Sequence, residues 1–84
     1  MIWIKSAKYL RGHEIAIQFN DNAVAVVDLK NELNGKIFKP LKKITEFKKF
    51  KLDSKAGTIF WSNGANFAPE FLWELAQLQK INEK

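Results

Sequence analysis

Cysteine is absent from this chain of 84 residues, and histidine occurs once, as His13. Without thiols there is no disulfide staple and no thiolate zinc site. A domain this small must then stand on its hydrophobic core, a composition suited to a reducing interior. Long apolar runs are missing too. Met1 to Leu10 alternates polar with apolar residues instead of forming a signal-peptide core, and no stretch approaches the ~20 apolar residues that span a bilayer. The sequence predicts a soluble, cytoplasmic protein with no membrane partner. Glycine is scarce and scattered: Gly57 and Gly64 stand alone, whereas a phosphate-cradling loop needs several together.

The same scarcity bears on chemistry. A hydrolytic triad could use only His13, which falls in a predicted turn beside Arg11 and Glu14, and Ser6, Ser54 and Ser62 have no nucleophile-elbow neighbours. An ordinary solvated histidine is the expectation there. The carboxylates Asp21, Asp28, Asp53, Glu70 and Glu74 are dispersed without metal-ligand spacing. Asp21 should shape a hairpin turn, Asp53 should precede one, and the two glutamates should serve a helix dipole. The chain is expected to be no enzyme, with no catalytic residues, no metal site and no cofactor.

What is present is enough apolar material to fold. Hydrophobic residues make up 46% and aromatics 13%, which argues against disorder despite 27% charge. Residues 1–84 read as a single α+β domain, too short for a second core. Residues 2 to 10 carry Trp3, Ala7 and Tyr9 on one alternation and Ile2, Ile4 and Leu10 on the other, a strand with material on both faces. Ile15, Ile17 and Phe19 line one side of a second strand, Asn20-Asp21-Asn22 closes a hairpin, and Ala23 to Leu29 is a β-branched third strand. Asp28 to Gly35 is too polar for a strand and predicts a short helical turn or loop. Pro40 opens a short middle helix with Leu41, Ile44 and Phe47 along one edge. Phe50 to Asp53 and Thr58 to Trp61 form a second hairpin about Ser54 to Gly57. A final helix runs from Pro69 to about Lys80 with Phe71, Leu72, Leu75, Ala76 and Leu78 as its apolar stripe. The result is an α+β fold: a small antiparallel sheet of about five strands in two hairpin or meander units, packed by the C-terminal helix.

Charge is concentrated in one place. Lys36, Lys39, Lys42, Lys43, Lys48, Lys49, Lys51 and Lys55 face only Glu46 and Asp53 across residues 36–55. Phe38, Phe47 and Phe50 interleave with them, the mix by which single-stranded nucleic acid is held through phosphate neutralisation and base stacking. Against that, the phenylalanines fall where periodicity asks for core residues, and Arg11 alone offers bidentate base contacts. A solvated lysine face is the simpler account, and a polyanion or acidic-partner site the alternative. Among the tryptophans, Trp61 should pin the final helix. Trp73, at the edge of the helix stripe, is the candidate partner-facing aromatic.

The chain also resembles a family. Phe19-x-Asp21, Val27-Asp28-Leu29, Phe38-x-Pro40-Leu41, Phe47, and then Gly57-Thr58-Ile59-x-Trp61-x-Asn63-Gly64-Ala65 followed by Ala68-Pro69-Glu70-x-Leu72 are similar to a small bacterial domain of unknown function. Its signature reads W-P-N-G-A-D-x-A-P-E-x-L-Y. Trp61, Asn63, Gly64, Ala65, Pro69, Glu70 and Leu72 match it as structural residues, while Ser62, Asn66 and Trp73 replace proline, aspartate and tyrosine. The resemblance implies a compact α+β fold that also occurs as the N-terminal part of helix-turn-helix proteins. It further implies a non-enzymatic interaction module with a protein partner, in the manner of the antitoxin-like or regulatory member of a two-gene unit. Nucleic-acid binding through residues 36–55 is the alternative.

Overall fold

The computed structural model describes residues 1–82. Three strands open the chain: β1 (Ile4–Arg11), β2 (Glu14–Phe19) and β3 (Val24–Asp28), an antiparallel meander in the order β1-β2-β3. Two short 3-10 turns follow, Lys30–Glu32 and Lys39–Lys42, then a single helical turn, α1 (Ile44–Phe47). β4 (Lys51–Asp53) and β5 (Thr58–Phe60) make a second hairpin, and α2 (Pro69–Asn82) ends the described chain. The fold is α+β, and the five expected strands divide into a three-stranded and a two-stranded sheet. The two sheets meet along β1, where Ile4 N–H donates to the Gly57 carbonyl at 2.8 Å.

β1 explains its own double alternation. Ile4 pairs with Phe19, but the register slips before Ser6 pairs with Gln18. That irregularity brings Ile4, Ala7 and Tyr9 onto the face shared by Ile15, Ile17 and Phe19, although Ile4 and Ala7 are three residues apart. The core therefore gathers Ile4, Ile15, Ile17, Phe19, Val27 and Leu29 from the meander, with Leu33, Leu41, Phe47, Ile59 and Trp61 from the middle. Phe67, Leu72 and Ala76 close it from the C-terminal side. Burying a side chain of the Leu, Ile or Phe kind contributes about 1.5–3 kcal/mol, which in a chain without crosslinks is the main source of stability.

Several local expectations hold. Asp21 Oδ1 accepts from Ala23 N–H at 2.9 Å, and Asp53 Oδ1 accepts from Lys55 N–H and Ala56 N–H, so both carboxylates shape hairpin turns. Others are corrected. The middle helix breaks at Lys43, whose extended backbone (ψ 121°) separates the 3-10 turn from α1. Leu41 and Phe47 are both buried across that break, and Ile44 is turned outward at 45% exposure. On α2 the expected stripe holds at Leu72, Leu75 and Ala76, which face the core, but not at Phe71 and Leu78, which are exposed, Leu78 at 58%. Trp73, expected to be exposed, is half-buried against the core, with its Nε1 inaccessible and without a hydrogen-bond partner among the described residues. The exposed tryptophan is Trp3, at 47%.

Gly57 is the tightest point between the two sheets. Its φ is +70°, and a Cβ built there would lie 2.6 Å from the Trp3 Cβ. Left-handed backbone costs an L-residue about 1–2 kcal/mol before any clash. Gly57→Ala is expected to lower stability by at least about 2 kcal/mol in urea unfolding. An unchanged midpoint would mean that Trp3 does not pack on this turn.

Candidate functional site

The lysine-rich segment and the free edge of β3 are the two surfaces that stand out. Neither is a constellation for chemistry: among the described residues no group of three His, Asp or Glu side chains could hold a metal ion. No helix among them is long and apolar enough to cross a membrane.

The basic segment is braced at three points by side chains from elsewhere in the chain. His13 is half-buried, with its ring edge-on to Phe47 at 4.7 Å. Its Nε2 lies 3.1 Å from the carbonyls of both Leu41 and Lys42. Carbonyls only accept, so Nε2–H is the donor, and the expected solvated histidine is a structural brace instead. Trp61 Nε1 donates to the Phe47 carbonyl at 2.8 Å, and its ring meets Phe47, Phe50 and Phe67. Trp61 therefore pins the basic segment, where the final helix had been the expected target. Asn63 Nδ2 donates to the Ile37 carbonyl at 2.8 Å, while Asn63 Oδ1 accepts from Ala65 N–H at 3.0 Å. Gly64, at φ +94°, completes that turn beneath Ile37.

All eight lysines of the segment are exposed. Lys36, Lys39, Lys42 and Lys43 lie on or beside the second 3-10 turn, Lys48 and Lys49 follow α1, Lys51 is on β4, and Lys55 is in the hairpin turn. Among the described residues only Lys49 of this set forms an ion pair, with Glu46 at 3.2 Å. Exposed pairs of this kind contribute little, so the positive charge of the segment is essentially uncompensated. The interleaved phenylalanines split by burial: Phe47 is core, and Phe38 and Phe50 are half-buried. Phe38 stacks on Phe67 at 4.8 Å and Phe67 stacks on Phe71 at 5.6 Å. A ring has two faces, so Phe67 is sandwiched, and the ladder runs from the basic segment to the first turn of α2. Sequence periodicity did not show this ladder, because its rings come from three separate segments.

The second surface was not singled out by sequence. Among the described residues no strand pairs with the outer edge of β3, where Val24 is 69% and Val26 49% exposed. A groove of about 700 Å³ runs beside it, lined by Val24, Ala25, Val26 and Asp28 of β3, by Arg11 and Glu14 at the ends of β1 and β2, and by Ala76, Gln79 and Lys80 of α2, so its charged groups balance. Gln79 joins the two sides through hydrogen bonds to the main chain of Asp28. The only advance signal was a β-branched run with no charge between Ala23 and Val27.

The braces have a measurable consequence. Asn63→Ala removes one bond to the basic segment and one within its own turn, at a cost of about 1 kcal/mol. Amide exchange at Lys39 and Leu41 is expected to quicken by about fivefold relative to β2. Equal protection in both proteins would show that Asn63 does not hold the segment.

The comparisons agree with this architecture. A crystal structure of a putative DNA-binding protein from Nitrosomonas europaea ATCC 19718 superposes with a TM-score of 0.83, at 15% identity, over 95% of this chain. This chain spans about half (52%) of that protein's length, and at such identity the likeness concerns the fold. No curated protein matches the sequence. A family profile matches residues 4–77, from the first residue of β1 into the last turns of α2, and the chain accordingly belongs to the family of proteins of unknown function designated DUF2442.

Proposed function

We propose that the chain is a non-enzymatic, cytoplasmic protein-interaction module, the regulatory or antitoxin-like member of a two-gene unit, acting by occluding a partner polypeptide. The observation that carries this reading is the open β3 edge, where two exposed valines border a groove walled by α2. Exposed apolar side chains beside unpaired backbone are the raw material of a protein interface. The role given to His13 fits the same reading: its Nε2 is committed to two backbone carbonyls. The module reading predicts that the tagged chain co-purifies with the product of the adjacent gene under gentle conditions. Recovery of the tagged chain alone from cells expressing both genes would sink it.

The alternative is binding of single-stranded nucleic acid through residues 36–55. It is favoured by seven lysines that form no ion pair among the described residues, on a braced segment, and by the aromatic ladder that begins at Phe38. The DNA-binding description of the Nitrosomonas europaea protein points the same way, for a chain about twice as long. Phosphate contacts of this kind give salt-dependent affinity with little base preference. Replacing Lys39, Lys42 and Lys43 by glutamine should weaken binding to single-stranded RNA or DNA and flatten the log–log salt slope by about 2. A titration at low salt that shows no binding removes this alternative.

A further inference from the structure

Asparagine followed by glycine occurs twice in the chain, at Asn34-Gly35 and at Asn63-Gly64. The pair is chemically labile, because a glycine nitrogen has no Cβ beside it to keep it from the carboxamide carbon of the preceding residue. Both pairs are exposed, and both glycines have positive φ, +90° at Gly35 and +94° at Gly64. Residue type, solvent access and glycine conformation therefore do not separate the two. Hydrogen bonding does.

At Asn63 every group that would react is engaged. Its Nδ2 donates to the Ile37 carbonyl at 2.8 Å, its Oδ1 accepts from Ala65 N–H at 3.0 Å, and Gly64 N–H donates to the Trp61 carbonyl at 2.9 Å. Turning that carboxamide onto the Gly64 nitrogen breaks all three bonds. At Asn34 the one side-chain contact runs from Nδ2 to the Asn31 carbonyl at 3.4 Å, longer than the usual N–H···O range of about 2.7–3.2 Å. Among the described residues nothing donates to Asn34 Oδ1, and Gly35 N–H has no acceptor. Space differs too: a Cβ built at Gly35 would meet no atom within 4 Å, whereas one at Gly64 would lie 3.6 Å from Ile37 Cδ1. Lys36 follows Gly35 directly, exposed and with no ion pair among the described residues. Its ammonium favours loss of the Gly35 amide proton.

We propose that Asn34 is a site of spontaneous deamidation, and that native hydrogen bonds hold the chemically equivalent Asn63 back. The Gly35 nitrogen gives up its proton and attacks Asn34 Cγ. The new N–Cγ bond closes a cyclic imide, the Cγ–Nδ2 bond breaks, and Nδ2 leaves as ammonia carrying a proton equivalent to the one lost. Water then opens the ring. Addition at Cγ yields aspartate, and addition at the Asn34 main-chain carbonyl yields isoaspartate. Water is the only co-reactant, and nothing is oxidised or reduced.

Either product sets a carboxylate at the head of the lysine-rich segment and lowers the chain's charge of +5 by one. Isoaspartate also adds a methylene to the main chain just ahead of the Gly35 carbonyl, which accepts from Phe38 N–H at 3.2 Å and from Lys39 N–H at 3.1 Å. The turn that begins the basic segment hangs on that carbonyl. The modification thus alters both the charge of the segment and the start of its frame, whichever partner the chain binds.

The test keeps the folded chain in mildly alkaline buffer at physiological temperature, resolves aliquots by cation exchange and reads tryptic peptides by mass spectrometry. A less basic form is expected to accumulate, with fragmentation placing the change at Asn34 within peptide 31–36. Asn63, in peptide 56–80, should react at least about tenfold more slowly, because its reactive state requires three bonds to open together. In guanidinium chloride, where the native bonds are lost, the two sites should react within about threefold of each other. Asn34→Gln, at an exposed position, leaves the fold intact and should abolish the fast phase, since a glutamine side chain closes the ring far more slowly.

No less basic form from the folded chain, equal rates at the two sites in the folded chain, or a fast phase that survives in folded Asn34→Gln would overturn the proposal. Slow reaction of Asn63 in guanidinium chloride as well would remove the native bonds as its protection. A product holding aspartate without isoaspartate would replace the imide route by direct hydrolysis.

Discussion

Phe47 is the residue on which the separate pieces of this fold converge. Its ring is met by Tyr9 from β1, His13 from the first hairpin turn, Phe50 from the approach to β4, and Trp61 from the end of β5, at centroid distances of 4.7–6.5 Å. Its carbonyl receives the buried Trp61 Nε1–H. Aromatic pairs of this geometry contribute about 0.5–1.5 kcal/mol beyond the area they bury. In a chain with no cysteine, that junction joins two sheets which otherwise share little backbone hydrogen bonding. A helical turn of only four residues could not persist alone. It is kept by what grips its last residue.

The same junction explains how a segment so rich in lysine is ordered. Positive charges spread over 20 residues repel one another and favour an extended chain. Here the backbone of that segment is tied down by His13, Trp61 and Asn63 at carbonyls of Ile37, Leu41, Lys42 and Phe47, while every ammonium group stays in water. The apolar members turn inward at Leu41 and Phe47, and the break at Lys43 lets both do so. Charge and core are thus separated residue by residue along one stretch. The cations are carried on a fixed frame.

The meander shows a second kind of asymmetry. Its β1 edge is irregular and cationic, and its β3 edge is regular and apolar, with a helix amide closing only one end. An unguarded edge is a hazard for a soluble protein unless something occupies it.

Much of the architecture was legible in order and type. The alternation of Ile15, Ile17 and Phe19, the Asn-Asp-Asn turn, Pro69 at the start of α2 and the two hairpins follow from local rules of period and turn chemistry, which act between near neighbours in the chain. The lysine cluster was visible by composition alone, and membership of a family of unknown function agrees with the resemblance that the sequence suggested. Local period could not settle which side of a helix faces inward when both sides carry apolar residues. Within the apolar stripe Leu72 and Ala76 are buried while Phe71 and Leu78 stay exposed, and Gln79 reaches the β3 backbone at Asp28. Nor could it distinguish Trp3 from Trp73, whose exposure depends on what the rest of the chain lays over them. The sequence by itself determined the elements, their order and the charge they carry. Tertiary structure alone decided that His13 is a brace, that Trp61 holds the basic segment and that β3 is left open, because each depends on groups brought together from distant parts of the chain.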